Sequence, residues 1–171
     1  MNNKFINIYT IGYYGPIILF ATITIYIILP LLASIINITN ITTITTTTNH
    51  ILYIIFINAI SIELNAILKL IIKQPRPNRS KKININDVKQ SKTYGMPSGH
   101  AQIVANNLVY LSMLANNKII TTISSIIALL TLYQRYVFRM HTISQLAYGA
   151  LLGGTTGYIF FKLYSYVKNN H

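Results

Sequence analysis

Three short stretches hold side chains whose types and spacing suit one task, the handling of a phosphate-like anion. In Lys69-Leu-Ile-Ile-Lys-Gln-Pro-Arg76-Pro77 the first lysine and the arginine are seven residues apart. That is about two turns of helix, so both can face one way at a helix end. Pro75 and Pro77 stop the helix and stiffen Arg76, whose planar fork matches phosphate oxygens. The second stretch, Tyr94-Gly-Met-Pro97-Ser98-Gly99-His100, precedes an apolar run. Ser98 can cap the helix that follows, leaving backbone N–H groups free for an anion. Gly99 lets the backbone approach a ligand closely, and His100 stands where it can give a proton to a leaving oxygen. In the third, Gln134-Arg135-Tyr-Val-Phe-Arg139-Met-His141-Thr-Ile-Ser-Gln145, Arg135 adds a cation. His141 and Gln145 share a helix face at i and i+4. Gln145 can accept from one imidazole nitrogen and leave the other free to attack phosphorus. Each stretch alone has an ordinary reading, as membrane-flanking charge, as an N-cap or as an interface histidine. Their conjunction is what is specific.

The elements that must position these groups are helices in a bilayer. The chain is 52% hydrophobic and only 9% charged, against about 25% charged in a soluble domain. Five apolar segments run roughly Tyr14–Ile36, His50–Ile72, His100–Ala115, Ile119–Tyr133 and Gln145–Tyr164. The first, second and fifth reach the about 20 residues a span needs, and the third and fourth are marginal. The expected fold is an all-α, polytopic membrane bundle of about five transmembrane helices, one domain over 1–171. The first segment is expected to be a retained helix, not a cleaved signal. Ile38–Asn49 reads as a polar Thr/Asn loop. Gln74–Pro97 and Gln134–Ser144 are basic connections, and alternating crossings put both on one side of the membrane, where they can meet.

Charge and composition narrow the chemistry further. Fourteen Lys and Arg face two acids, but the basic residues gather at the ends of apolar segments and form no single stripe. Anionic lipid, not nucleic acid, is the expected partner. With no cysteine, thiolate metal sites and cysteine nucleophiles are excluded. With two acids and four histidines, an oxygen-ligand metal such as Mg²⁺ has few ligands, so no metal and no cofactor are expected. Glu63 lies mid-helix, about 9 Å deeper than Lys69. A carboxyl there is protonated, paired or faces a cavity. It is expected to support the basic pocket, or to bond across helices to Asn106 or Asn107.

The three stretches resemble the motifs of the type 2 phosphatidic acid phosphatase superfamily, relatives of vanadium haloperoxidases, with the pattern K-x6-R-P, P-S-G-H and S-R-x5-H-x3-D. Lys69, Arg76 and Pro77 fill the first, Pro97 to His100 the second, Arg135 and His141 the third. The resemblance covers roughly Leu64 to Gly154. It implies that His141 attacks phosphorus and forms a phosphohistidine, that His100 is acid and then base, and that Lys69, Arg76, Ser98, Gly99 and Arg135 hold the phosphate oxygens. Gln134 stands where the family has Ser, and Gln145 where it has the Asp that orients and charges the nucleophile. Gln can orient His141 but not stabilise an imidazolium. Tyr94-Gly-Met-Pro97-Ser98, Lys-Gln-Pro-Arg76-Pro and His141-Thr-x-x-Gln145 followed by Tyr-Gly look like the dolichyl diphosphatase branch, where Gln is usual.

A site at the membrane surface suits a lipid phosphate. Dolichyl diphosphate is the first expectation; phosphatidic acid, phosphatidylglycerophosphate, undecaprenyl diphosphate and a catalytically weak lipid-phosphate-binding homologue remain open. The resemblance implies a lumenal site in the endoplasmic reticulum. The positive-inside rule instead puts Lys73, Arg79, Lys81, Lys82, Lys89 and Lys92 in the cytoplasm. The sequon Asn78-Arg-Ser80 lies on the site side, and Asn37-Ile-Thr39 and Asn40-Ile-Thr42 lie opposite.

Overall fold

The protein was analysed as a computed structural model. The structure describes the backbone of residues 3–36, 41–78 and 94–170, and the side chains of 10–29, 49–78 and 94–170. Arg79, Lys81, Lys82, Lys89, Lys92 and Asp87, and the sequons at Asn37 and Asn40, lie outside the described side chains. Five helices occupy the described backbone: α1 Asn3–Ile36, α2 Ile41–Ile72, α3 Gly99–Ala115, α4 Lys118–Val137 and α5 Ile143–Asn169.

Helix limits follow local chemistry. The α3–α4 turn is two asparagines. Asn116 takes the left-handed conformation at φ 44° and returns its N–H to Ser112 O. Asn117 caps α4, accepting from Ile119 N at 2.9 Å and Ile120 N at 3.2 Å. Thr142 caps α5 in a capping box with Gln145. One expectation is corrected at α2: the helix begins at Ile41, so most of the expected Thr/Asn loop is helical. The lower helix propensity of Thr is under about 0.7 kcal/mol per residue, too little to stop a helix running into a long apolar segment.

The bundle is apolar outside, and inside it sets buried polar groups beside apolar clusters built on Ile23, Ile54, Ile57 and Leu111 and on Leu19 and Val104. Ile17, Leu29, Phe56, Leu70, Ile119, Leu129 and Leu151 are exposed, while Ser61, Asn65, Gln102, Asn106, Asn107, Thr131 and Arg135 are buried. Water does not select such a surface; lipid does. Thr10–Leu29 and Asn49–Ile72 are long and apolar enough to cross a membrane.

α3 is central and touches the other four helices. Its tightest partner is α5, whose Gly149, Gly153 and Gly157 lie against the backbone of Ser98, Gln102 and Asn106. A Cβ at Gly149 or Gly157 would come to 2.5 Å of a carbonyl oxygen. Repeated small residues thus bring the two backbones into contact. Amide side chains then pair inside the bundle: Asn65 Nδ2 donates to Gln102 Oε1 at 2.6 Å, and Gln102 Nε2 to Ser61 O at 2.8 Å. Thr156 Oγ1 donates to Asn106 Oδ1 at 3.1 Å.

Candidate active site

α2 ends at Ile72, and the chain turns through Gln74–Pro77 to run beside the α4–α5 turn. Arg76 Nη1 donates to Met140 O and to His141 Nε2, each at 3.0 Å. Gly95 N donates to Gln74 O at 2.7 Å, and Ser98 N to Gln145 O at 3.1 Å. The two basic connections therefore meet, and Lys69, Arg76, Ser98, Gly99, His100, Arg135, His141 and Gln145 converge.

The surroundings of His141 fix its tautomer. Nδ1 lies 2.9 Å from Gly95 O and 3.3 Å from Gln145 Oε1, and both are acceptors. Nδ1 therefore carries the proton and donates it. Nε2 is left with a lone pair, which accepts from the Arg76 guanidinium. The Gln145 amide is fixed in turn. Its Nε2 donates to Pro75 O at 2.8 Å and Gln74 Oε1 at 3.1 Å, and its Oε1 accepts from Thr142 N at 3.2 Å. Only one orientation of the amide satisfies all four contacts. Gly95 is pressed on this amide, since a Cβ there would come to 2.7 Å of its nitrogen and oxygen.

The second imidazole repeats the pattern. His100 Nε2 accepts from Arg135 Nη2. Arg135 is fully buried, and Tyr13 of α1 covers its guanidinium at 5.0 Å. The Tyr13 ring is also 5.8 Å from that of His100. Each histidine thus shows a lone pair to one arginine. Lys69, with Nζ 3.8 Å from where a Gly99 Cβ would stand, brings a third cation. Burial, and then Arg76, Arg135 and Lys69, push the His141 pKa down to about 3, against the opposing bond to Gly95. The cluster gathers three cations around a neutral, oriented imidazole.

Residues 50–169 match the PAP2 superfamily. The chain belongs to that superfamily. PAP2 proteins are phosphatases that act on lipid phosphates, and the matched region contains every cluster residue except Tyr13. No curated protein matches the chain. Among solved structures, its fold is similar to a transmembrane PAP2-type phosphatidylglycerolphosphate phosphatase from Bacillus subtilis. The TM-score is 0.59 at 18% identity, over 98% of this chain and 89% of that one.

Glu63 is corrected. It is exposed, two residues beyond buried Ser61, and at about 100° per residue it points to the opposite side of α2 from the pocket. Asn106 and Asn107 bond to each other at 3.3 Å, not to it. The support comes from Asn65, four residues from Lys69 on the inner face, which donates to Pro97 O at 3.3 Å as well as to Gln102. Sequence reading missed Asn65, Gln74, Gly95 and Tyr13. Asn58, Ser61, Asn65 and Lys69 do form a polar stripe at helical spacing, which is the signal that could have found Asn65.

Proposed function

We propose that this protein is a metal-independent membrane phosphatase that converts dolichyl diphosphate, or a closely similar polyprenyl diphosphate, into the monophosphate and inorganic phosphate. The observation that carries the chemistry is the state of His141: Nδ1–H is held by two neutral acceptors, and the Nε2 lone pair faces a guanidinium. A phosphate drawn between the arginines takes over their N–H groups and frees both Nε2 atoms. His141 Nε2 attacks the terminal phosphorus. Beside the charge of the bound phosphate, the freed His100 Nε2 takes up a proton from solvent; the bond to the bridging oxygen then breaks, and that oxygen leaves with this proton. Water then attacks the phosphohistidine and gives its proton to His100, releasing phosphate and restoring His141. Lys69, Arg76, Arg135 and the Ser98–Gly99 backbone carry the charge that spreads over the phosphoryl oxygens.

The substrate assignment rests on the motif resemblance to dolichyl diphosphatases. Phosphatidylglycerophosphate is the second reading, favoured by the likeness to the Bacillus subtilis enzyme. The test is phosphate release by purified protein from dolichyl diphosphate, phosphatidylglycerophosphate and phosphatidic acid, beside His141→Ala. Fastest release from the diphosphate, abolished in the variant and unaffected by chelator, is expected. Equal rates for wild type and His141→Ala on all three lipids would remove the phosphatase reading, and dependence on added Mg²⁺ would remove its metal-free form. The subfamily resemblance also supports a lumenal site in the endoplasmic reticulum. In this cysteine-free chain, Lys118→Cys opposite the site should then label from the cytosol.

A further inference from the structure

Tyr13 stands at the site without a part in the chemistry above. It lies on α1, outside the residues 50–169 that match the superfamily, and helix packing brings it there. Gly12 and Gly15 let α1 close onto α4. A Cβ at Gly12 would come to 2.5 Å of Leu130 O and 2.6 Å of Gln134 Cβ, and one at Gly15 would meet the Thr131 hydroxyl. Gly12 thus rests on Gln134, and the next residue, Tyr13, meets the next residue, Arg135. The Tyr13 ring is half-buried, with its centroid 5.0 Å from the guanidinium carbon and 5.8 Å from the centre of the His100 ring. Its hydroxyl bonds to no described residue. What Tyr13 brings to the site is therefore its face.

Arg135 is a fully buried cation, and Glu63, the acid among the described residues, is on the outer face of α2. A carboxylate beside Arg135 would hold the guanidinium through its N–H groups, the same groups a phosphate needs. A ring face attracts the charge through its quadrupole and occupies no N–H. That attraction depends on distance from the face and little on where the N–H groups point. Nη2 can therefore leave His100 Nε2 for a phosphoryl oxygen while the cation stays against the ring. We propose that Tyr13 is a positioning residue of this site: its ring face keeps Arg135 in place as the N–H groups pass from His100 to the phosphate. Binding then frees His100 without displacing the cation, and α1 becomes part of the active site. The assignment rests on Arg135 as a phosphate ligand.

The experiment compares wild type with Tyr13→Phe, Tyr13→Leu and a protein carrying 3,4,5-trifluorophenylalanine in place of Tyr13. Two quantities are read: affinity for inorganic phosphate, and kcat/KM on dolichyl diphosphate. Tyr13→Phe keeps the face and should stay within about twofold of wild type. Tyr13→Leu removes the face and should lower both quantities roughly tenfold. The trifluorinated ring keeps the shape of phenylalanine but loses its negative face, and should fall toward the Leu variant. A packing role would not separate it from Tyr13→Phe. In an Arg135→Gln background the three substitutions should no longer differ in phosphate affinity, because the cation they act on is gone. Equal affinities for the phenylalanine and trifluorinated proteins, an unchanged Leu variant, or differences that persist without Arg135 each overturn the proposal. If the wild type turns over no lipid phosphate, the phosphatase reading fails on its own, and the phosphate affinities still decide the role of Tyr13.

Discussion

Gln145 donates to the carbonyl of Pro75 at 2.8 Å, and so ties the first turn of α5 to the segment that carries Arg76. The same amide turns its oxygen to His141. One neutral side chain therefore aims His141, the proposed nucleophile, with one end and holds the segment of Arg76 with the other. A carboxylate at this position would keep the first role. It would lose the second, because its other oxygen would face Pro75 O and Gln74 Oε1.

Restoring the superfamily's acidic residue is accordingly expected to harm the enzyme. Gln145→Glu should lower kcat at least about tenfold, the equivalent of one lost hydrogen bond with two acceptors left facing a negative charge. Gln145→Asp should fall further, being too short to reach Gln74 and Pro75. Steady-state kinetics of purified variants check this, and a gain in kcat with either substitution would contradict it.

The pH dependence of stability should carry the mark of His141. Its pKa falls from the ordinary 6.5 to about 3 on folding. Between those values the unfolded chain holds a proton that the folded one does not. This contribution is therefore fully present above pH 6.5 and is lost as pH drops toward 3. Melting temperature should decline over that window less steeply in His141→Gln than in wild type. His141 also stays neutral through the window, so its own titration should impose no acidic limb on kcat until pH approaches 3.

Two substitutions on α2, two residues apart, should behave oppositely. Asn65→Leu leaves Gln102 Oε1 and Pro97 O without their donor, at a cost of about 1–3 kcal/mol, and loosens the turn that presents Ser98 to His100. Both the melting temperature and kcat should fall. Glu63→Gln, on the outward face, should leave kcat within about twofold, since exposed positions away from special features change little. Detergent-solubilised melting curves and phosphate release on both variants test the pair.

The contact between α3 and α5 offers a sharper contrast. Gly153→Ala drives a methyl into the backbone of Gln102 and should cost about 1–3 kcal/mol. Gly154→Ala meets only Val109 Cγ2, at 3.8 Å, and should be neutral or slightly stabilising, since Ala is the better helix former. Thermal unfolding of the two neighbours is the measurement, and equal losses would refute the close-packing account.

Much of the cluster was legible in the sequence because its members sit at fixed offsets from helix ends. Lys69 and Arg76 bracket the end of α2, Ser98 to His100 open α3, and His141 precedes α5. Such offsets survive uncertainty about where helices lie in space. The errors fall where rotation about a helix axis decides the matter. Glu63 drew attention as a charge deep in an apolar segment, yet two residues of helical turn take it to the outer face. Asn65, uncharged and less conspicuous, is on the inner face. Gly95 acts through a carbonyl that every residue possesses and through the missing Cβ that lets it press on the Gln145 amide, and no spacing rule announces either contact. Tyr13 arrives by tertiary packing of α1, over which the sequence offers no spacing rule.

The glycine stripe on α5 has one more implication, concerning alignment. Gly149, Gly153 and Gly157 recur every four residues, and so do their contacts Ser98, Gln102 and Asn106. Sliding one helix by a turn along the other would still set glycines against backbone. Proximity alone therefore leaves the alignment degenerate. The bonds from Ser98 N to Gln145 O and from Thr156 to Asn106 do not repeat with that period. A slipped bundle would strand those groups, in a low-dielectric interior where unpaired polar atoms are costly. The polar interior thus acts as the vernier of the fold, choosing among the settings that the glycines allow.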